Sequence, residues 1–162
     1  MTTGTVKRQG TRMYFCLPGS TSEIHKVACP SAINGLGGAA NQIDKTCLDS
    51  VEMEYDRGMQ NPGQVSVPIN FIPRSAAHQA LIDLRASGDT TDWMIVLSDQ
   101  AGAPTDVDSN GHLVSPGSTT VRFQGYIADM TIDVPTNDIV RATLSIQRSG
   151  APEWDLPAAD LD

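Results

Sequence analysis

Apolar side chains fall at every second position in several separate stretches of this chain, and a chain that repeats that pattern has to build sheets. Val65, Val67, Ile69 and Phe71 alternate with Gln64, Ser66, Pro68 and Asn70. Val140, Ala142, Leu144 and Ile146 alternate with Arg141, Thr143, Ser145 and Gln147, a strand ending at Ser149 and Gly150. Val121 and Phe123 point one way and Arg122 and Gln124 the other. By Met130, Ile132 and Val134 the apolar phase has slipped by one residue, so a bulge or bend is expected between Gly125 and Asp129. Val51, Met53 and Tyr55 alternate with Glu52, Glu54 and Asp56, which gives a strand with one acidic face. Across Gly58 and the Asn61-Pro62-Gly63 turn, that strand and the one over 65–71 read as an antiparallel hairpin. Pro68 has no amide to donate, so its strand lies at an edge or bulges there.

Two runs are apolar without alternation: Met13–Leu17 is short enough to be a buried strand, and Trp93–Leu97 reads as a continuous apolar strand. Helical spacing occurs strongly once. Ser75 is an N-cap candidate, Ala77, Leu81 and Leu84 follow at i, i+4 and i+7, and Arg85 and Gly88 mark the stop. His78 stands one position off that stripe and reads as a surface or partly buried side chain. Residues 30–44, with Gly35, Gly37 and Gly38, read as a long flexible loop, and residues 99–117 as a polar turn or exposed loop. The expected division of the 162 residues is an N-terminal arm over 1–12, one β domain over 13–150, and an acidic tail over 151–162. The fold class is mainly β: an antiparallel sandwich or small barrel with one flanking helix.

Composition removes several functions. Lys and Arg number 11 against 19 Asp and Glu, for a formal charge of −8. A chain this acidic does not grip phosphate backbones. No stretch reaches the roughly 20 apolar residues of a membrane helix, and the N-terminus lacks the apolar core of a secretory signal. Cys16, Cys29 and Cys47 suit reduced thiols, with a Cys16–Cys29 or Cys29–Cys47 pair left open.

Catalytic patterns are missing. There is no G-x-S-x-G, H-E-x-x-H or phosphate loop. His25 and Cys29 lie four apart without a second pair to complete a zinc site, and His112 sits in a polar loop. Asp106, Asp108 and Asn110 follow the D-x-D-x-N-G order of a calcium loop, yet position twelve is Gly117 instead of glutamate, and the same residues suit an ordinary turn. No enzyme activity, cofactor or metal is expected. What stands out is acidic repetition, Glu52, Glu54 and Asp56 in one stretch and Asp129 and Asp133 in another. Such residues make either a solvated face or a wall that repels polyanions.

The order of elements, with several short motifs, resembles the major tail tube proteins of long-tailed bacteriophages with non-contractile tails, the lambda-like family. The resemblance runs over about residues 13–150. It is carried by Ile43–Ser50 (IDKTCLDS), by Tyr55 with Gly58, Met59, Pro62 and Gly63, and by Phe71 with Pro73. It continues through the helix that holds Leu81 and closes on Ser87-Gly88, through Phe123-Gln124-Gly125-Tyr126, and to the strand ending Ser149-Gly150. Lys45 and Cys47 make the first of these looser than the Thr-rich form usual in the family. Many relatives carry a further immunoglobulin-like domain, which the resemblance would place beyond the end of this chain.

The resemblance implies a fold related to the tube of type VI secretion systems and a structural role in the virion tail. Six copies would close a ring whose sheets join into one inner barrel. Rings would stack around a tape-measure protein after synthesis in the host cytoplasm, and DNA would pass through without specific binding. The tail terminator and the baseplate or tip proteins would be further partners, and no membrane is involved. Glu52, Glu54, Asp56, Asp129 and Asp133 would then line the lumen. The arm and the 30–44 loop, with Asn34, Gly35, Leu36 and Asn41, would reach the adjacent ring. The alternatives are a tail terminator or secretion-tube ring protein, and a small calcium- or carbohydrate-binding β-sandwich.

Overall fold

A computed structural model describes residues 9–18, 23–99, 104, 106–108, 112–115, 117 and 119–156. Ten strands and one helix follow in chain order: β1 (Arg12–Cys16), β2 (Ile24–Lys26), β3 (Ala40–Asp44), β4 (Tyr55–Gln60), β5 (Gln64–Asn70), α1 (Ala76–Ser87), β6 (Thr91–Val96), β7 (Asp106–Val107), β8 (Leu113–Val114), β9 (Thr120–Asp133) and β10 (Arg141–Asp155). Six form one antiparallel sheet in the order β2-β1-β6-β9-β10-β5, while β3–β4 and β7–β8 are separate two-stranded ribbons.

The sheet does not end at its two edges. After β2 the chain turns at Cys29, in the left-handed region at φ 52, and runs antiparallel to β5. Pro30 bridges Ile69 and Asn34 bridges Ser66, with Asn34 and Ser66 exchanging both amide hydrogen bonds at 3.0 and 2.9 Å. The segment expected as a flexible loop over 30–44 is therefore partly structural: its first half ties the β2 edge to the β5 edge and closes a small barrel, and its second half is β3. Glycines and polar residues hid it from a periodicity argument. Pro68 lies on this outer edge, where its carbonyl accepts the Ser31 amide at 2.8 Å and its missing N–H falls between the flanking bridges. An edge position is what its chemistry requires.

The core fills the barrel. Met13 and Phe15 of β1, Val65, Val67 and Ile69 of β5, Trp93 and Ile95 of β6, Val121, Phe123, Ile127 and Met130 of β9, and Ala142, Leu144 and Ile146 of β10 form one cluster. The Trp93 indole donates to the Gly125 carbonyl at 3.1 Å, so the largest buried ring carries no unpaired polar atom. The other face of β1 and β6, with Tyr14, Cys16, Met94 and Val96, is covered by Leu113 of β8. That explains why these two strands lack alternation.

Helix α1 adds Ala77, Ala80, Leu81 and Leu84 to the core. It begins after Ser75 and ends on Gly88, whose φ of 73 and amide bond to the Leu84 carbonyl at 2.9 Å make a left-handed cap. His78 is fully buried, a correction to its expected exposure. Its Nδ1 accepts the Ile72 amide at 2.9 Å, which leaves Nε2 to donate to the Ala28 carbonyl 3.2 Å away. The imidazole thus pins the helix to the chain just before the Cys29 corner.

Three further expectations need correction. β4 pairs with β3, and β5 pairs with β10, so the hairpin expected from 51–56 and 65–71 does not form. Val51 and Met53 lie outside any strand and are exposed, because alternation marks a half-buried strand only where a core exists to receive it. β10 does not stop at Gly150. After a register shift between Ser149 and Glu153 it pairs again with β9 through Asp155. The bulge expected in β9 is present: Ser145 faces Asp129 while Ile146 faces Ile127, which leaves Ala128 over. Beyond it Met130 is buried, but Ile132 and Val134 are exposed, since β9 outruns the core.

Candidate functional site

The feature least explained by folding is the ribbon over residues 40–60. β3 and β4 pair only with each other among the described strands, from Ala40↔Gln60 to Asp44↔Tyr55. Its tip is well made. The Lys45 amide donates to the Glu54 carbonyl at 3.0 Å, the Glu54 amide to the Thr46 hydroxyl at 3.0 Å, and the Ser50 amide to the Cys47 carbonyl at 3.0 Å. The Thr46 amide reaches Asp44 Oδ1 at 2.9 Å, and hydrogen bonds from Thr46 hold that carboxyl below its ordinary value. A two-stranded ribbon without a core is marginal in water. This one nevertheless carries Ile43, Leu48, Val51, Met53, Tyr55 and Met59 exposed, with Leu48 and Val51 wholly so. An apolar group of this kind on one projection is unusual for an isolated subunit.

The sequence-derived acidic residues divide between two places. Glu52, Glu54 and Asp56 belong to the ribbon and are exposed, and Asp56 meets Lys45 at 3.2 Å. Asp129 and Asp133 are on β9. Asp129 pairs with Arg85 of α1 at 3.3 Å, and Asp133 stands opposite Arg141 in register. They share the outer face of the β9–β10–β5 part of the barrel with Thr131, Arg141, Thr143, Ser145 and Ser66, which makes that face mainly polar, with Pro68 and the exposed Tyr126 as its apolar members.

The four loop residues also divide. Asn34 and Asn41 have exposed side chains, Leu36 packs against the core, and Gly35 lies where a Cβ would sit 2.1 Å from the Gln64 carbonyl oxygen. In the stretch with calcium-loop order, Asp108 Oδ1 accepts the His112 amide at 2.9 Å across the β7–β8 turn, and Asn110 lies outside the described residues. Among the described residues no three acidic, histidine or cysteine side chains form a metal cluster. Cys16 is buried, and Cys29 and Cys47 are exposed free thiols.

Sequence reasoning missed two polar centres. Asp92 is buried on β6, where it accepts the Leu113 amide at 2.8 Å and faces His112 Nδ1 at 3.4 Å. Burial pushes its carboxyl up, against the lowering effect of those two partners. Arg148 is buried on β10, and its guanidinium donates to the carbonyls of Leu36, Gly37 and Pro62. Nothing in the spacing sets Asp92 apart from a surface charge. Arg148 does fall on the inward phase of its strand, after Ala142, Leu144 and Ile146, and that is a usable signal.

Comparison with known proteins gives a consistent result. Residues 4–157 match the family described as phage tail tube, TTP, lambda-like. The chain is 32% identical over 151 residues to Structural protein 3 of Pseudomonas phage PAJU2, covering 91% of this chain and 92% of that protein. Among solved structures, the SPP1 tail tube aligns with a TM-score of 0.68 at 12% identity, covering 94% of this chain and 81% of that one. The tail of an empty GTA particle, refined with C6 symmetry, aligns with a TM-score of 0.68 at 13% identity, covering 94% and 100%. At such identities these two establish the fold alone.

Proposed function

Because the chain belongs to the lambda-like phage tail tube family, and so is a structural subunit of the virion tail, not an enzyme, we propose that six copies close a ring and that rings stack into a hollow tube. The observation that carries this reading is the ribbon. It spends an ordered, hydrogen-bonded tip on presenting Leu48 and Val51 to water, which is useful only if another copy covers them. Each arm has roughly seven residues between barrel and tip, and at about 3.3 Å per residue it reaches about 20–25 Å, enough to cross to a neighbouring ring. Asn34 on the barrel and Asn41 at the ribbon's base, both exposed, would line the near side of the contact between rings, and the chain before β1 would add to it.

The channel face in this proposal is the polar outer surface of β5, β10 and β9, lined by Ser66, Thr143 and Ser145 with Asp129 and Asp133. Glu52 and Glu54 would add negative charge along the ribbon, with Asp56 paired to Lys45 as Asp129 is to Arg85. DNA phosphates then meet a wall that offers hydroxyls and like charge, so the DNA slides without binding. A tape-measure protein would fill the channel before DNA, and terminator and tip proteins would close its ends. Sixfold geometry is supported by the C6 symmetry of the GTA tail, whose fold this chain shares.

Negative-stain electron microscopy of the concentrated protein tests the reading. Hollow tubes of indefinite length with sixfold end views are expected. Single rings that never stack would make the chain a terminator-type protein instead, and particles that remain monomeric at every concentration and in the presence of pre-formed tube ends would defeat the proposal.

A further inference from the structure

The ribbon leaves the barrel through two chain segments, 36–39 and 61–63, and one side chain holds both. Arg148 sits on the inward phase of β10 and is only 3% exposed. One terminal nitrogen donates to the Leu36 carbonyl at 3.2 Å, and the other donates to the carbonyls of Gly37 and Pro62. The Arg148 amide and the Gln147 side chain add hydrogen bonds to the Gly63 carbonyl at 3.2 and 3.1 Å. Gly38 completes the fit, since a Cβ there would lie 2.7 Å from the Asn61 carbonyl oxygen and 3.3 Å from the guanidinium.

The composition of this clasp is unusual for a merely structural contact. Among the described residues no carboxylate pairs with the Arg148 charge, and Arg148 Nε is buried without an acceptor. Burial also pushes the guanidinium pKa down, as expected of a cation taken from water. A buried charge with no counter-ion is costly, and a well-packed apolar residue would commonly serve stability as well or better. What the guanidinium supplies is a planar fork that binds carbonyls of two different segments at once and fixes the angle between them.

We propose that Arg148 is a positioning residue for assembly: it sets the direction in which the ribbon leaves the barrel, so that the tip meets the next copy. The proposal rests on the reading of the ribbon as the contact between rings. Without the clasp both roots would keep their covalent path, but the ribbon would swing on Gly37, Gly38 and Gly63, and ordering it would be paid for at each docking event.

The test compares Arg148→Lys and Arg148→Met with the unaltered full chain by hydrogen exchange, thermal melting and tube growth. Both variants are expected to raise amide exchange over 36–44 and 55–63 by about tenfold or more while β6 and β9 keep their protection. Tube growth should need a correspondingly higher concentration. Lysine should not rescue, because one ammonium cannot fork to both roots. Unchanged ribbon exchange, equal loss of protection in β6, or full rescue by lysine would each overturn the proposal. The exchange measurement uses free subunits, so it decides on the clasp even if substitutions at the ribbon tip leave tube growth unaltered and the docking reading fails.

Discussion

Replacing Leu48 and Val51 together by serine separates folding from assembly. Both side chains are wholly exposed in the subunit, so removing them deletes no contact of the fold. Exposed substitutions of this kind change stability by no more than about 0.5 kcal/mol. The melting temperature of a domain this size should therefore move by about 1–2 °C at most. If another copy covers the tip, the loss is larger. Full burial of a leucine or valine is worth about 1.5–3 kcal/mol, and allowing half of that for partial burial, the pair contributes about 1.5–3 kcal/mol to each docking contact. That corresponds to a contact weakened roughly ten- to hundredfold. The threshold concentration for tube growth, read by sedimentation with the pellet imaged by electron microscopy, should rise by a similar factor. Met53 is left in place because the Tyr55 hydroxyl donates to its Sδ at 3.0 Å, and its removal would disturb the ribbon itself. An unchanged threshold would refute the reasoning. So would a fall of several degrees in the melting temperature, which would show that the tip serves the subunit after all.

Further outcomes follow from the buried polar groups and the acidic residues. Asp92 has its carboxyl pushed up chiefly by burial, so it binds a proton more tightly folded than unfolded. The stability this gives is fully present below the ordinary carboxylate value of 3.8 and is lost as pH rises through the raised one. Asp92→Asn keeps an oxygen for the Leu113 amide and removes the buried charge, so melting curves should show higher stability at neutral pH and a flatter profile just above the ordinary carboxylate range. His78→Ala strands the Ile72 amide and opens a cavity beneath α1, at a combined cost of about 2–4 kcal/mol, and calorimetry should read a melting temperature lower by about 4–16 °C. Glu52→Lys with Glu54→Lys should leave tubes intact by electron microscopy yet slow DNA ejection from virions, because a positive wall retains phosphates. Ejection at the unaltered rate from intact tubes would remove these residues from the channel.

What the sequence made legible was the part of the molecule governed by the core. Val65, Val67 and Ile69, the buried positions of β10, the phase slip in β9 and the α1 stripe with its Gly88 stop could all be read, because each is a periodic demand made by one continuous apolar interior. The parts that escaped lie where partners are distant in sequence and polar in kind. Residues 29–34 pair with β5 through backbone atoms that carry no side-chain signature, and the Arg148 clasp joins positions more than eighty residues apart. The misread hairpin is the most instructive of these. Val51, Met53 and Tyr55 alternate with acids as a half-buried strand should, but no surface of this subunit buries them. Periodicity reports that a face is to be covered and does not say by which chain. In the assembly proposed above, an apolar phase that finds no core would be the sequence's record of its interface, and residues 40–60 carry such a phase more fully than any other described segment.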